Sequence, residues 1–240
     1  MRVRRAIQYA IDRRALMDNF TFGSASLADQ DLPTFLWAHA ADVKRYPYDP
    51  AQARTLLRAA GWQPGADGVL LKDGTRLSLT IVYNVANATR RGLAVQVQGM
   101  LKAIGIDTAI KTYPISLFAA PVAMGGVLQG GKYDLALHGW ISGVDPDNHS
   151  AFTCGAMPPG GNNDMFFCDK RVDAAENVAL EHYDQPTRKN AYATIERLLA
   201  DEVPQTYFWY PRQIQSLNPD LKGVRPNAVT EAWNAYQWEI

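Results

Sequence analysis

Leu77-Ser78-Leu79-Thr80-Ile81-Val82-Tyr83, the helical stretch 88–104 and the segment 106–113 together decide how this chain is read. The first run is rich in β-branched and apolar residues, as a strand is. The second carries Leu93, Val97, Met100, Leu101 and Ile104 along one face, and Gly105 stops it. The third is strand-like again and begins at once. Strand, crossover helix, strand is a βαβ unit, which joins parallel strands and is right-handed in nearly all cases. A second crossover, 116–129, broken by Pro121 and Gly125-Gly126, reaches a further strand at 133–138. The two units share the strand 106–113. The expected fold is therefore α/β, with an open, mostly parallel sheet flanked by helices.

Upstream, Val3, Ala6, Ile7, Ala10, Ile11 and Leu16 fall at helical spacing and predict one amphipathic helix over 3–18. The basic opening is no signal peptide, because Gln8, Asp12, Arg13 and Arg14 interrupt any apolar stretch. The chain thus reads as starting inside a structural element, as a fragment does. Asp49 as N-cap, Pro50 at the first helical position and Gly61 as the stop punctuate a second helix. Val69-Leu70-Leu71 is expected to pair with 77–83 as a hairpin turning on Asp73-Gly74. Downstream come a Gly-, Pro- and Asn-rich loop (142–169), helices at 172–183 and 187–201, and the aromatic strand Thr206-Tyr207-Phe208-Trp209-Tyr210. Residues 217–240 hold Trp233, Tyr236 and Trp238 without an element long enough to bury them.

Composition removes several function classes. Lys+Arg 24 balances Asp+Glu 24 over 240 residues, so the basic surface of a nucleic-acid binder is missing. No apolar run approaches the ~20 residues of a membrane-spanning helix. His138, Asp145, Asp147, His149 and Cys154 lie close in sequence, but their spacing fits no zinc pattern. A calcium loop opening at Asp145 would need glycine where Ser150 stands and glutamate where Ala156 stands. No cofactor motif is found: there is no P-loop, G-x-S-x-G or H-E-x-x-H. Cys154 and Cys168 are the only cysteines. A bridge between them would close a loop of ~15 residues, worth about 3 kcal/mol, and would point to an oxidising compartment. Two unrelated buried thiols are the alternative.

Ligands of open α/β sheets lie beyond the carboxyl ends of the parallel strands. Here those ends are Asn84, Tyr113-Pro114 and Trp140, the last running into Ser142, Gly143, Asp145, Asp147, Asn148 and His149. Trp140 and Trp209 would offer aromatic plates, and Asn84, Ser142 and Asp145 hydrogen bonds. The plain reading stands beside this one: Asp145-Pro146-Asp147-Asn148 is also good turn chemistry, Trp140 is equally a core residue, and Asn84 equally a helix cap.

Taken together these segments resemble one family. Val3-Arg4-Arg5-Ala6-Ile7-Gln8-Tyr9-Ala10-Ile11-Asp12-Arg13 is similar to the opening of the middle region of the family 5 extracellular solute-binding proteins, the peptide- and nickel-type binding proteins of ABC importers. Tyr46-Pro47-Tyr48-Asp49-Pro50 through Gly61-Trp62, Gln98 through Ile106, and Tyr133-Asp134-Leu135-Ala136-Leu137-His138-Gly139-Trp140 resemble further elements of that family, in order. The resemblance implies a type II periplasmic-binding lobe over 1–216. It also implies a segment, 217–240, that returns to a first lobe outside this chain. The implied setting is periplasmic or extracytoplasmic, with a lipid anchor as one option, and the implied partners are a small solute and ABC permease subunits. Peptide-binding members carry an aspartate three residues after the tryptophan, where it accepts the peptide's α-amino group; Gly143 stands there in this chain. The family reading predicts a binding protein without catalysis. The readings weighed against it are a carboxylate-assisted hydrolase using Asp145 and Asp147 and an interaction scaffold using the aromatic tail.

Overall fold

The amino-terminal periodicity belongs to two helices rather than one: α1 (Arg2–Ala10) and α2 (Arg13–Thr21). Ile11 between them is extended, and the Asp12 carboxylate accepts the Ala15 N–H at 3.0 Å, capping a fresh helix. The apolar spacing survives the break because Ala6, Ile7, Ala10, Ile11 and Leu16 all enter the same core. The computed structural model describes residues 1–141, 143–227, 230 and 232–240.

After a short strand, β1 (Ala25–Leu27), a long loop leads to α3 (Pro50–Ala59), capped by Asp49 as the sequence predicts. Strands β2 (Gln63–Pro64), β3 (Leu70–Lys72) and β4 (Thr75–Arg76) form a small antiparallel sheet that turns on Asp73-Gly74. The hairpin's return arm is thus Thr75-Arg76, not the strand 77–83 that the sequence offers. Leu77 is the switch between sheets. Its N–H donates to the Leu70 carbonyl at 2.8 Å, and its own carbonyl accepts the Asp107 N–H at 3.0 Å.

Beyond Leu77 come β5 (Ser78–Asn84), α4 (Ala88–Lys102), β6 (Asp107–Tyr113), a one-turn helix α5 (Ile115–Phe118) and β7 (Leu135–Leu137). All pairs in this sheet are parallel, in the order β6-β5-β7. The expected parallel sheet is present, but β5 rather than the strand 106–113 is its centre. The reason lies in burial. Ile81, Val82, Tyr83 and Asn84 of β5 are all buried, whereas Asp107, Lys111 and Thr112 of β6 face solvent. A strand covered on both faces belongs inside a parallel sheet.

The chain closes with α6 (His149–Phe152), α7 (Lys170–Glu181), α8 (Gln185–Glu202) and β8 (Trp209–Pro211), and β8 pairs antiparallel with β1. Cys154 and Cys168 are bonded, tying the turn after α6 to the start of α7. One core gathers Ile81, Leu93, Val97 and Leu101 with the apolar faces of α1 and α3. A second holds Leu32, Val172, Ala179, Tyr192, Ile195 and Leu199 around α7 and α8. The segment leaving β7 and entering α6 therefore connects the two cores. In the tail, Lys222 pairs with Glu239, and the Trp238 indole donates to the buried Asn234 at 3.1 Å. Trp233 and Tyr236 remain exposed.

Candidate functional site

The carboxyl ends of β5, β6 and β7 bring Asn84, Tyr113 and His138-Gly139-Trp140 to one edge of the sheet. Asn84 is buried but does not cap the following helix. That task falls to Asn87, whose side chain accepts the Arg90 N–H at 2.9 Å. The Asn84 amide oxygen instead takes a hydrogen bond from the Arg90 Nη1. Arg90 is half-buried, and its Nη2 lies 3.5 Å from where a Cβ on Gly139 would sit, so the guanidinium reaches across from β5 to the end of β7. Burial lowers the affinity of Arg90 for its proton. Enclosure by protein, and then the charge of Arg90, pull the His138 imidazole below its ordinary value.

Trp140 is 50% exposed and Ile141 93% exposed, and Val144 is exposed as well. Trp140 is therefore a presented surface rather than a core residue. Ser142 lies outside the described residues. Gly143 is exposed, and a Cβ placed there would meet only the Asp145 backbone, at 3.7 Å or more. Packing does not demand glycine at this position.

Asp145 is clasped. Its two carboxylate oxygens accept from Arg188 of α8 at 2.7 and 2.9 Å, a bidentate pair. Arg188 is itself fixed, with its Nε on the Ala179 carbonyl at 2.9 Å and its guanidinium 5.5 Å from the Trp37 ring centre. The Arg188 hydrogen bonds hold the Asp145 carboxyl below the usual carboxylate range. The turn reading of the neighbouring residues holds as well. Asp145 accepts the Asp147 N–H at 3.1 Å, and Asp147 accepts the His149 N–H at 3.0 Å. Trp209 is half-buried against the sheet core, with Phe208 as its ring partner at 5.8 Å.

Beneath the loop lies a group of acids that sequence reading did not single out. Asn148, 3% exposed, donates to Asp31 at 3.3 Å, and Glu196 accepts the Asp31 N–H at 3.1 Å. Glu176 is fully buried, and neither of its oxygens is hydrogen-bonded. Burial pushes the carboxyl of Asp31 up to about 6 and that of Glu176 to about 8, and it raises Glu196 well above its ordinary value. Two signals for the missed residues were present in the sequence. Arg90 and Arg188 stand in first helical turns, where the helix dipole disfavours cations, and Glu176 and Glu196 interrupt apolar stripes.

Comparison with known proteins gives this geometry a family. The model of the bacterial extracellular solute-binding proteins, family 5 Middle, matches residues 1–161. The chain belongs to that family. The oligopeptide-binding protein AppA of Bacillus subtilis is 26% identical over 240 residues, covering 99% of this chain and 43% of that protein. Di/tripeptide-binding protein 1 of Pseudomonas aeruginosa is 30% identical over 209 residues, covering 86% of this chain and 36% of its own. Among solved structures, NikZ from Campylobacter jejuni in complex with Ni(L-His) superposes with a TM-score of 0.85 at 28% identity, covering 100% of this chain and 48% of that one. The chain thus spans less than half the length of these relatives. The family and the α/β type II binding-protein fold expected from the sequence are those found. These relatives are named as binding proteins, and their family is an extracellular one. Among the described residues no helix is long and apolar enough to cross a membrane.

Proposed function

We propose that this chain is the ligand-capturing lobe of the substrate-binding subunit of an ABC importer, which takes up a peptide or another small solute. Residues 1–216 form the lobe, and 217–240 return to a first lobe that closes on the same solute. Closure by a hinge stabilises the closed form only through the ligand's preference for it. Asn84, Trp140, Gly143, Asp145 and Trp209 line or support the binding wall, and Ser142, outside the described residues, is assigned to the same ligand set. Asp145 acts through its clasp on the loop, and the Cys154–Cys168 bridge steadies the segment beyond. The subunit works outside the cytoplasm, in the periplasm or tethered by a lipid anchor, and hands its solute to permease subunits.

The observation that carries this reading is the half-exposed Trp140 at the carboxyl end of a parallel sheet, in a chain of this family. A lone lobe has only part of the contacts, so its affinity should be weak. The test is an NMR titration of the 240-residue chain with a pool of di- and tripeptides. Shifts at the Trp140 indole N–H and the strand ends, saturating in the millimolar range, are expected. Shifts confined to other surfaces would refute the wall, and sub-micromolar affinity of the chain alone would refute the two-lobe clamp.

A further inference from the structure

Carboxyl groups meet beneath the segment that enters α6, and the donors around them are too few. Asn148 precedes α6 but its side chain does not cap it; the amide turns inward and donates to Asp31 at 3.3 Å. The Asp31 N–H donates in turn to Glu196 of α8 at 3.1 Å. Asn148, Asp31 and Glu196 thus link the loop after β7, through the loop before α3, to the second core. Glu176 of α7 feels the charge of Asp31, and Glu196 feels both. The two glutamates are fully buried. Both Glu176 oxygens, one Glu196 oxygen and the Asn148 amide oxygen have no hydrogen bond. While the glutamates are ionised, all of these atoms are acceptors.

The cations nearby are committed elsewhere. Arg13 and Arg45 hold Asp29, Lys170 holds Asp173 and Arg188 holds Asp145. Among the described residues no three histidine, cysteine or acidic side chains are grouped so as to hold a metal ion. From the other elements packed here, Asp147, Asp173 and the Tyr192 phenol face Glu176. Tyr207 and Tyr210 face Asp31 and Glu196, and His149 faces Asp173. A proton on a glutamate supplies what is missing, because it removes a charge and turns an acceptor into an O–H donor.

We infer that Asp31, Glu176 and Glu196 are a proton-operated latch: with the glutamates protonated it ties Asn148 to the second core, and loss of those protons to solvent lets the segment 145–149 come away. The latch is a property of the chain and does not rest on the solute-binding reading. Its sign follows from burial, which raises all three carboxyls, so it holds at low pH and opens as pH rises. Asp31 ionises first, at about 6, with Asn148 donating to its charge, and Glu176 follows at about 8. A charged Glu176 then repels Asp31 and Asp147, the carboxylates on either side of the Asn148 bond.

The test uses the 240-residue chain labelled with 13C and 15N. The carboxyl carbon shifts of Glu176 and Glu196 read their protonation in the parent, with no substitution, from about pH 5 to about pH 9.5. The backbone amides of Asp31 and residues 145–149 read the latch. These amides should shift with the Glu176 carboxyl, at a common midpoint near 8. Protection of the Asp31 N–H, corrected for the intrinsic pH dependence of exchange, should fall about ten-fold or more across it. Glu176→Gln should hold the amides at their low-pH positions and keep that protection within about two-fold. A Glu176 carboxyl that ionises below about pH 5, or amides that stay in place while it ionises, overturns the latch. So does a Glu176→Gln variant whose amides still move at the parent's midpoint. If that variant does not fold, the joint carboxyl and amide titration of the parent decides alone.

Discussion

Glu176 offers a measurement of how the floor beneath the loop that follows β7 is built. Its side chain is fully buried on α7, with no hydrogen bond to either oxygen. Burial first, then the charges of Asp147, Asp31 and Asp173, raise its carboxyl from an ordinary 4.5 to about 8. Between those values the folded protein keeps a proton that the unfolded chain has released. The folded state binds more protons there, so stability falls as pH rises across that window. Each pH unit well inside it removes about 1.4 kcal/mol. The group therefore costs the fold roughly 1 kcal/mol at pH 5 and about 3 kcal/mol at pH 7.

Glu176→Gln has no proton to keep. Whatever the amide costs in packing at pH 5, the unfolding free energy of the variant minus that of the parent should rise by about 2–3 kcal/mol between pH 5 and pH 7. Asp31 and Glu196 titrate in both proteins and cancel to first order in that difference. Urea denaturation followed by the fluorescence of the six tryptophans measures it. A difference that stays constant within ~0.5 kcal/mol across the two pH values, against the slope expected from linkage, would mean that Glu176 is not a buried neutral acid.

Three other perturbations have clear directions. Gly105→Ala places a Cβ 2.8 Å from Leu70 Cγ at a φ of 86°. It should destabilise the chain by about 1–3 kcal/mol, read by thermal or urea unfolding. Replacing Cys154 and Cys168 together by serine opens a loop with a sequence separation of 14 and should lower stability by about 3 kcal/mol, an effect that reduction of the parent reproduces. Arg188→Met removes the clasp on Asp145. Hydrogen exchange at residues 143–148 should accelerate and the fluorescence anisotropy of Trp140 should fall, while unchanged exchange would show that the loop is held by its turns alone.

Patterns set by nearest neighbours were legible in the chain, and those set by long-range competition were not. The βαβ unit, the Asp49-Pro50 helix start, the cysteine pair and the α7–α8 pair all follow from local propensity, capping or apolar period. The break at Ile11-Asp12 was hidden because both helices bury the same side, so the apolar spacing continues across it. The departure of β5 from the hairpin depends on Leu77 serving two sheets at once, which no local signal encodes. At the site, Trp140 and the Asp145 turn could be named from their place after a strand. Their partners could not, because Arg188 lies 43 residues from Asp145 along the chain and the Arg90 guanidinium is brought to Gly139 only by the β5–β7 pairing.

The charge of the proposed binding wall depends on which groups are cancelled and which are neutral. Arg188 cancels Asp145, and Gly143 contributes no charge. Glu176 feels the charges of Asp147, Asp31 and Asp173 and adds its own only when ionised. Burial keeps Glu176 protonated through neutral pH, because an ionised carboxylate without hydrogen bonds is costlier there than a neutral one, and burial also raises Glu196 well above its ordinary value. Among the described residues no carboxylate lies within ion-pair distance of Arg90, whose guanidinium donates to the Asn84 amide oxygen. The acidic floor then has a consequence for binding as well as for stability. Raising the pH through about 8 ionises Glu176, which adds a negative charge beneath the loop and changes the affinity for a charged solute held above it. Affinity for the di- and tripeptides of the proposed function should change through that range, and Glu176→Gln should remove the change. A pH-independent affinity in the parent would separate the floor from the wall and leave Glu176 a matter of folding alone.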